Sequence, residues 1–192
     1  MTLASGKGMK ATEFLAWRET RPDGKRHELV AGEPIEMAAE RNRHNLVKTA
    51  CVRALEDGVR AAGLDCTVLG DGATVVTGER DASEPDAAVQ CDEPIDLDAT
   101  VVPSPVILVE VLSPSTRARD AGGKLYDYFQ LPSVRHYLIV DPVRLVIIHH
   151  RREGDDIATT LWREGVLALD PPGVRLAVAD CFATLRRALG ER

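Results

Sequence analysis

The chain has 192 residues, enough for one well-buried domain, and nothing in its composition forces a second, so residues 1–192 are read as a single domain. Its 44% hydrophobic, 28% charged and 4% aromatic residues are those of an ordinary soluble globular protein. A formal charge of −6 excludes a protein that coats nucleic acid through bulk positive charge, but not a local basic groove, since "ERNRHNLVK" and "STRARD" gather Arg and Lys in two places.

No run approaches the length of a membrane span, and "MTLASGKGMKATEF" lacks the apolar core of a signal peptide, so a cytoplasmic protein without membrane contact is expected. In that compartment Cys51, Cys66, Cys91 and Cys181, which form no C-x-x-C pair, are expected to be reduced and mostly buried.

In chain order, "ATEFLAWRET" predicts a short opening helix and "RHELVAGEPIEM" a hairpin turning at Ala31 and Gly32. From His44 to Ala62 the apolar positions Val47, Ala50, Cys51, Ala54, Leu55 and Val59 recur at threes and fours, a helix with one stripe packed on a sheet and ended by Gly63. "DCTVLG", "ATVVTG" and "PDAAVQ" are short strands, followed by the acidic, Pro-rich stretch "CDEPIDLDATVVPSP", expected to be an exposed connection. "VILVEVL" is a continuous apolar run of strand length, hence a central strand covered on both faces.

A turn at Ser113 to Thr116 leads into a helix spanning roughly residues 117 to 131, with Ser115 or Thr116 as N-cap; Gly122 and Gly123 make its first turn irregular, and Pro132 stops it. "VRHYLIV" is a second buried strand. "RLVIIHHR", "IATTLWR" and "VLALD" suggest an antiparallel meander, and "VADCFATLRRAL" a closing amphipathic helix. The sum is an α/β domain, helices around a mixed sheet that is partly parallel at its centre.

Chemistry concentrates around "VILVEVLSPSTRARD". Strand alternation puts Val106, Leu108, Glu110 and Leu112 on one face, so Glu110 is a carboxylate among leucines, which is costly unless a cation, a donor or a metal meets it. Asp86 opens another strand after Pro85; if the two strands are neighbours, both carboxylates converge, and they cannot both stay ionised without a cation or a raised pKa. Asp120, Lys124 and Tyr128 are spaced four apart and share a helix face that can bring Lys124 to Glu110. Two carboxylates and a lysine suit a hard divalent cation and a scissile phosphate.

With "PD", "EVLSPST", then Asp, Lys and Tyr at fours, then "YLIVDP", the sequence resembles the Uma-type restriction endonuclease family of bacteria, within the PD-(D/E)xK nuclease superfamily. The resemblance runs from about "RHELVAGEPIEM" to "YLIVDP". It implies a restriction-endonuclease-like fold, a mixed central sheet flanked by helices, with Asp86, Glu110 and Lys124 as catalytic residues. It implies Asp86, Glu110 and the Val111 backbone carbonyl as ligands of Mg²⁺, with Mn²⁺ as an alternative. The superfamily's lysine would fall at Leu112; here its role passes to Lys124. Glu28 and His44 fit positions where relatives add an acidic or polar group, and Asp120 and Tyr128 complete the accessory set. The implied substrate is nucleic acid, DNA first, and a homodimer is compatible with cutting two strands.

Blander readings stand beside these. Glu110 alone could be a structural ion pair with Lys124 or an arginine. His149 and His150 point to opposite faces of a strand, which suits a solvent-facing hairpin edge better than a metal. His44 could be a surface or capping histidine; Arg41, Arg43, Lys48 and Arg53 could be a solvated helix face. Ser113 and Ser115 lack a nucleophile elbow and suit a turn and a cap. The alternative function is a nuclease fold that no longer cleaves and serves as a binding or assembly module. A glycoside hydrolase is third, because it leaves Lys124 without a role.

Overall fold

A computed structural model describes residues 8–21, 24–91, 93–113 and 123–191, and the statements below concern those residues. The first half of the chain forms α1 (Ala11–Glu19), β1 (His27–Val30), β2 (Glu33–Glu36), α2 (Asn42–Ala62), β3 (Cys66–Gly70), β4 (Val75–Gly78), β5 (Asp81–Ser83), β6 (Ala87–Cys91) and β7 (Pro105–Val111). The second half adds α3 (Gly123–Phe129), β8 (His136–Asp141), β9 (Val146–Glu153), β10 (Asp156–Trp162), β11 (Val166–Leu169), β12 (Val174–Ala177) and α4 (Val178–Ala188).

The central sheet has six strands in the order β10-β9-β8-β7-β6-β3. Only β7 and β8 run parallel; the other neighbours are antiparallel, so the sheet is mixed and helices flank it, as expected. Alternation along β7 splits its side chains between two cores. Ile107, Val109 and Val111 pack with Val47, Cys51 and Leu55 of α2 and with Phe182 and Leu185 of α4. Leu108 and Leu112 pack with Tyr128, Tyr137 and Val75 on the other side. Glu110 shares that second face, as period-2 alternation requires.

Helix α2 ends at Gly63 in the left-handed region, φ 63°, and the Leu64 N–H closes the last turn onto the Val59 carbonyl at 3.2 Å. Gly58 lets it approach β12: a Cβ there would stand 2.9 Å from Val174 Cγ1 and 3.0 Å from the Arg175 carbonyl oxygen. The hairpin turn at Ala31 and Gly32 takes φ values of 50° and 85°, which the flanking strand twist favours. A second, four-stranded sheet, β2-β1-β5-β4, carries α1, whose Ala11 and Phe14 bury against Leu29 and Ala82.

Several expectations need correction. Strands β5 and β12 were not foreseen, and β11 leaves the expected meander to pair with β12, because Leu167, Leu169, Val174 and Leu176 bury on the α2 side of the sheet. The stretch before β7 is exposed at Leu97 but tied down at Val102, 3% exposed, whose N–H bonds the Thr74 carbonyl at 2.8 Å. Cys66 and Cys91, direct partners across β3 and β6, form a disulfide; Cys51 and Cys181 are free and buried. Residues 114–122, which hold the predicted turn, its caps, Asp120 and the helix start, lie outside the described residues; the described helix begins at Gly123. No described helix is long and apolar enough to cross a membrane.

His149 and His150 do face opposite ways, but both are buried, His149 against His136 and His150 between Tyr137 and Thr159. His150 Nδ1 bonds Thr159 Oγ1 at 2.8 Å and its ring stacks on Tyr137. His136 Nε2 sits 2.9 Å from the Pro171 carbonyl, an acceptor only, so that nitrogen donates; its Nδ1 then accepts from His149 Nε2 at 2.9 Å. Burial drives the pKa of both His136 and His149 down to about 4. In the unfolded chain they take up protons near pH 6.5, so their contribution to stability is complete above that pH and is lost as pH falls toward 4. Urea unfolding across pH 7.5 to 4 should show a loss of a few kcal/mol that is flatter in His136→Gln/His149→Asn; parallel curves for the two proteins would contradict the assignment.

Candidate active site

Registering Ala87 opposite Val109 places Asp86 beside Glu110 at the end of β6 and β7. Asp86 is 7% exposed, and its Oδ2 accepts the Val111 N–H at 2.7 Å, which pins the carboxylate to the strand that carries Glu110. Glu110, 5% exposed, accepts at Oε1 from Lys124 Nζ at 2.7 Å and from Tyr128 O–H at 2.6 Å. The four-residue spacing on α3 thus delivers an ammonium and a phenol to one oxygen. Leu112 meanwhile packs in the apolar core, and the ammonium at Glu110 comes instead from Lys124 on α3.

Glu28 of β1 completes this half of the site. Its Oε1 lies 2.9 Å from Lys124 Nζ and accepts the Glu84 N–H at 3.0 Å, so one ammonium is shared by two buried carboxylates. His44, on the first turn of α2, comes to Asp86 from the other side, with Nε2 3.2 Å from Oδ2. Burial works against a charged imidazole, but the interaction with Asp86 and the nearby Glu40 outweighs it and raises the His44 pKa.

Glu40, Lys48, Asp71 and Glu84 also belong to the site, and sequence reasoning missed them. Lys48 is not on a solvated face: it is 7% exposed, bonded to Glu40 Oε2 and to Asp71 Oδ2 (2.8 Å), and 3.9 Å from Asp86 Oδ1. Burial lowers its affinity for a proton, yet the bonds to Asp71 and Glu40 raise its pKa overall. Glu84, 2% exposed, lies between Arg18 (2.8 Å) and Arg26 (2.7 Å), and Arg26 continues to Asp71 at 2.5 Å. One signal was available: Glu40, His44 and Lys48 are spaced by fours, as Lys124 and Tyr128 are.

These side chains border a cleft of about 390 Å³, lined by Glu28, Glu36, Glu40, Glu84, Asp86 and Glu110 against Arg41, His44 and Lys124. Carboxylates outnumber cations around it, so a phosphate entering alone would meet net repulsion. Glu40, His44 and Asp86 can bring ligand atoms within 4.8 Å of one another, a donor set of two carboxylates and an imidazole that fits a divalent ion. Asp120 lies outside the described residues, and the Val111 backbone contributes its N–H to Asp86.

The Uma2 family model, described as "Putative restriction endonuclease", matches residues 11–183. The chain belongs to the Uma2 family. The uncharacterised protein slr1290 of Synechocystis sp. is 30% identical over 179 residues, covering 86% of this chain and 87% of that one. A crystal structure titled as a putative nuclease of DUF820, from Anabaena variabilis, superposes with a TM-score of 0.70 at 16% identity, over 92% of this chain and 99% of that one; this likeness speaks to the fold. Uma2 membership and the mixed sheet agree with the expectations drawn from "PD" and "EVLSPST".

Removing the shared ammonium should be costly. Lys124→Met leaves Glu28 and Glu110 buried without it and should destabilise the protein by about 3 kcal/mol or more, measured by urea unfolding at pH 7. Adding Glu110→Gln should recover part of the loss; an unchanged midpoint in the single variant would show that the ammonium does not hold the two carboxylates.

Proposed function

We propose that this Uma2 protein is a divalent-metal-dependent endonuclease that hydrolyses phosphodiester bonds in nucleic acid, with DNA as the first substrate to test. The observation that carries the reading is the pairing of Asp86, fixed by the Val111 N–H, with Glu110, whose oxygen is met by Lys124. A divalent ion at Asp86, Mg²⁺ or Mn²⁺, would supply positive charge for the phosphate and acidity for the attacking water.

The chain's own residues do the rest. Asp86 presents a carboxylate that cannot rotate away without breaking its backbone bond. Glu110 and Glu28 hold the buried Lys124 ammonium in the lining of the cleft, where it would face the charge that grows on a phosphate during attack. Tyr128 fixes Glu110 from the buried side. Glu110 and Val111 line the same cleft, and the Glu110 carboxylate and Val111 carbonyl would be the further oxygens offered to an ion. Cutting both strands of a duplex would take two such sites, which a homodimer provides.

One observation favours a second reading, a nuclease fold retained as a binding module: Lys124 already pairs with both Glu28 and Glu110 without any ion. The two readings separate on plasmid and single-stranded DNA incubated with Mg²⁺ or Mn²⁺. The nuclease reading expects cleavage that chelation abolishes and that Asp86→Asn reduces about 100-fold or more, with the circular dichroism spectrum unchanged. Absence of cleavage of DNA and RNA with either ion, or full activity in Asp86→Asn, would overturn it.

A further inference from the structure

The donors gathered on the α2 side of Asp86 go beyond the acidic pair. Helix α2 begins so that His44 turns its ring into the cleft, and the residue is 8% exposed. Nε2 stands 3.2 Å from Asp86 Oδ2, and Nδ1 stands 3.4 Å from Glu40 Oε2. Ligands about 2.1 Å from an ion and at right angles to one another are themselves about 3 Å apart; an ion takes one nitrogen of the ring, so one of these gaps serves as an edge of its shell, while Glu40, His44 and Asp86 each offer one ligand atom within 4.8 Å of the others. Nδ1 is buried and makes no hydrogen bond among the described residues, a cost the fold carries without return unless something else meets that ring.

We infer that Glu40, His44 and Asp86 together hold the divalent cation, and that the imidazole makes the site selective for a first-row transition ion such as Mn²⁺ over Mg²⁺. This rests on the metal-dependent reading above and names the ion's ligands and class. Nitrogen ligands favour transition ions, whereas Mg²⁺ prefers an all-oxygen shell and keeps its waters. Lys48 gives the cluster its resting balance: it bonds Glu40 and Asp71 at once, so it keeps Asp71 when Glu40 turns to an ion. The arrangement places the metal between α2 and the end of β6, with Asp86 as the ligand common to this site and to the Glu110 pair.

The test is calorimetric titration of Mn²⁺ and Mg²⁺ into the full-length protein, with the nitrogen modulation of the Mn²⁺ electron-spin-echo signal as a second readout. Mn²⁺ should bind about tenfold or more tightly than Mg²⁺. His44→Ala and Glu40→Gln should each weaken Mn²⁺ binding by about tenfold or more, and the wild-type echo should carry imidazole nitrogen modulation. Should His44→Ala fail to fold, the wild-type echo decides alone. If His44→Ala binds Mn²⁺ as the wild type does, or no nitrogen modulation appears on bound Mn²⁺, the inference falls. If Asp86→Asn nonetheless loses the ion, the metal-dependent reading stands without it; if Asp86→Asn also binds normally, or the wild type binds neither ion, both fall.

Discussion

The cleft at the end of β6 and β7 concentrates more carboxylate than its neighbours can neutralise in the open, and the fold around it is arranged to make that tolerable. A buried carboxylate costs several kcal/mol unless donors or cations meet it. Each one here is met from a different part of the chain: Asp86 by the Val111 N–H, Glu110 by Lys124 and Tyr128, Glu28 by Lys124 and the Glu84 N–H. Glu84 is met by Arg18 and Arg26, and Asp71 by Arg26 and Lys48. Helix α1, the β1 hairpin, α2 and α3 are therefore coupled to the site electrostatically as well as by packing.

That coupling explains the two-sheet design. The central sheet supplies Asp86 and Glu110 on adjacent strands, where register alone sets their separation. The smaller sheet supplies Glu28 from β1 and, through α1, Arg18, which reaches Glu84 just before Asp86. The apolar clusters on either side of β7 hold this geometry: α2 and α4 cover one face, while α3 and Tyr137 cover the other. Charge that is poorly balanced at rest is well suited to a site that takes up a cation and a phosphate.

Much of this was legible in sequence because it is written in local periodicity. A glutamate among leucines in "VILVEVL" cannot be a surface residue, and Lys124 and Tyr128 at a spacing of four must share a helix face. What stayed hidden depends on contacts distant in sequence. Lys48 and Glu40 resemble the polar side of any amphipathic helix until Asp71 and Asp86 are brought to them. His149 and His150 look solvent-facing because nothing in "RLVIIHHR" says that His136 and Tyr137 of β8 will stand against their rings. Cys66 and Cys91 are 25 residues apart, and only the β3–β6 register makes them partners. Strand β5, of 3 residues, is too short to show a period.

The central claim is that the carboxylates around Asp86 are assembled to bind a divalent ion rather than only to pair with lysines. Anomalous diffraction from crystals grown in Mn²⁺ addresses it without any choice of substrate. The account predicts a manganese peak in the cleft within ligand distance of Asp86, with Lys48 withdrawn toward Asp71. A cleft without a peak, in which Lys48 and Lys124 keep every carboxylate partner they have here, would contradict it and leave the ion pairs as structure alone.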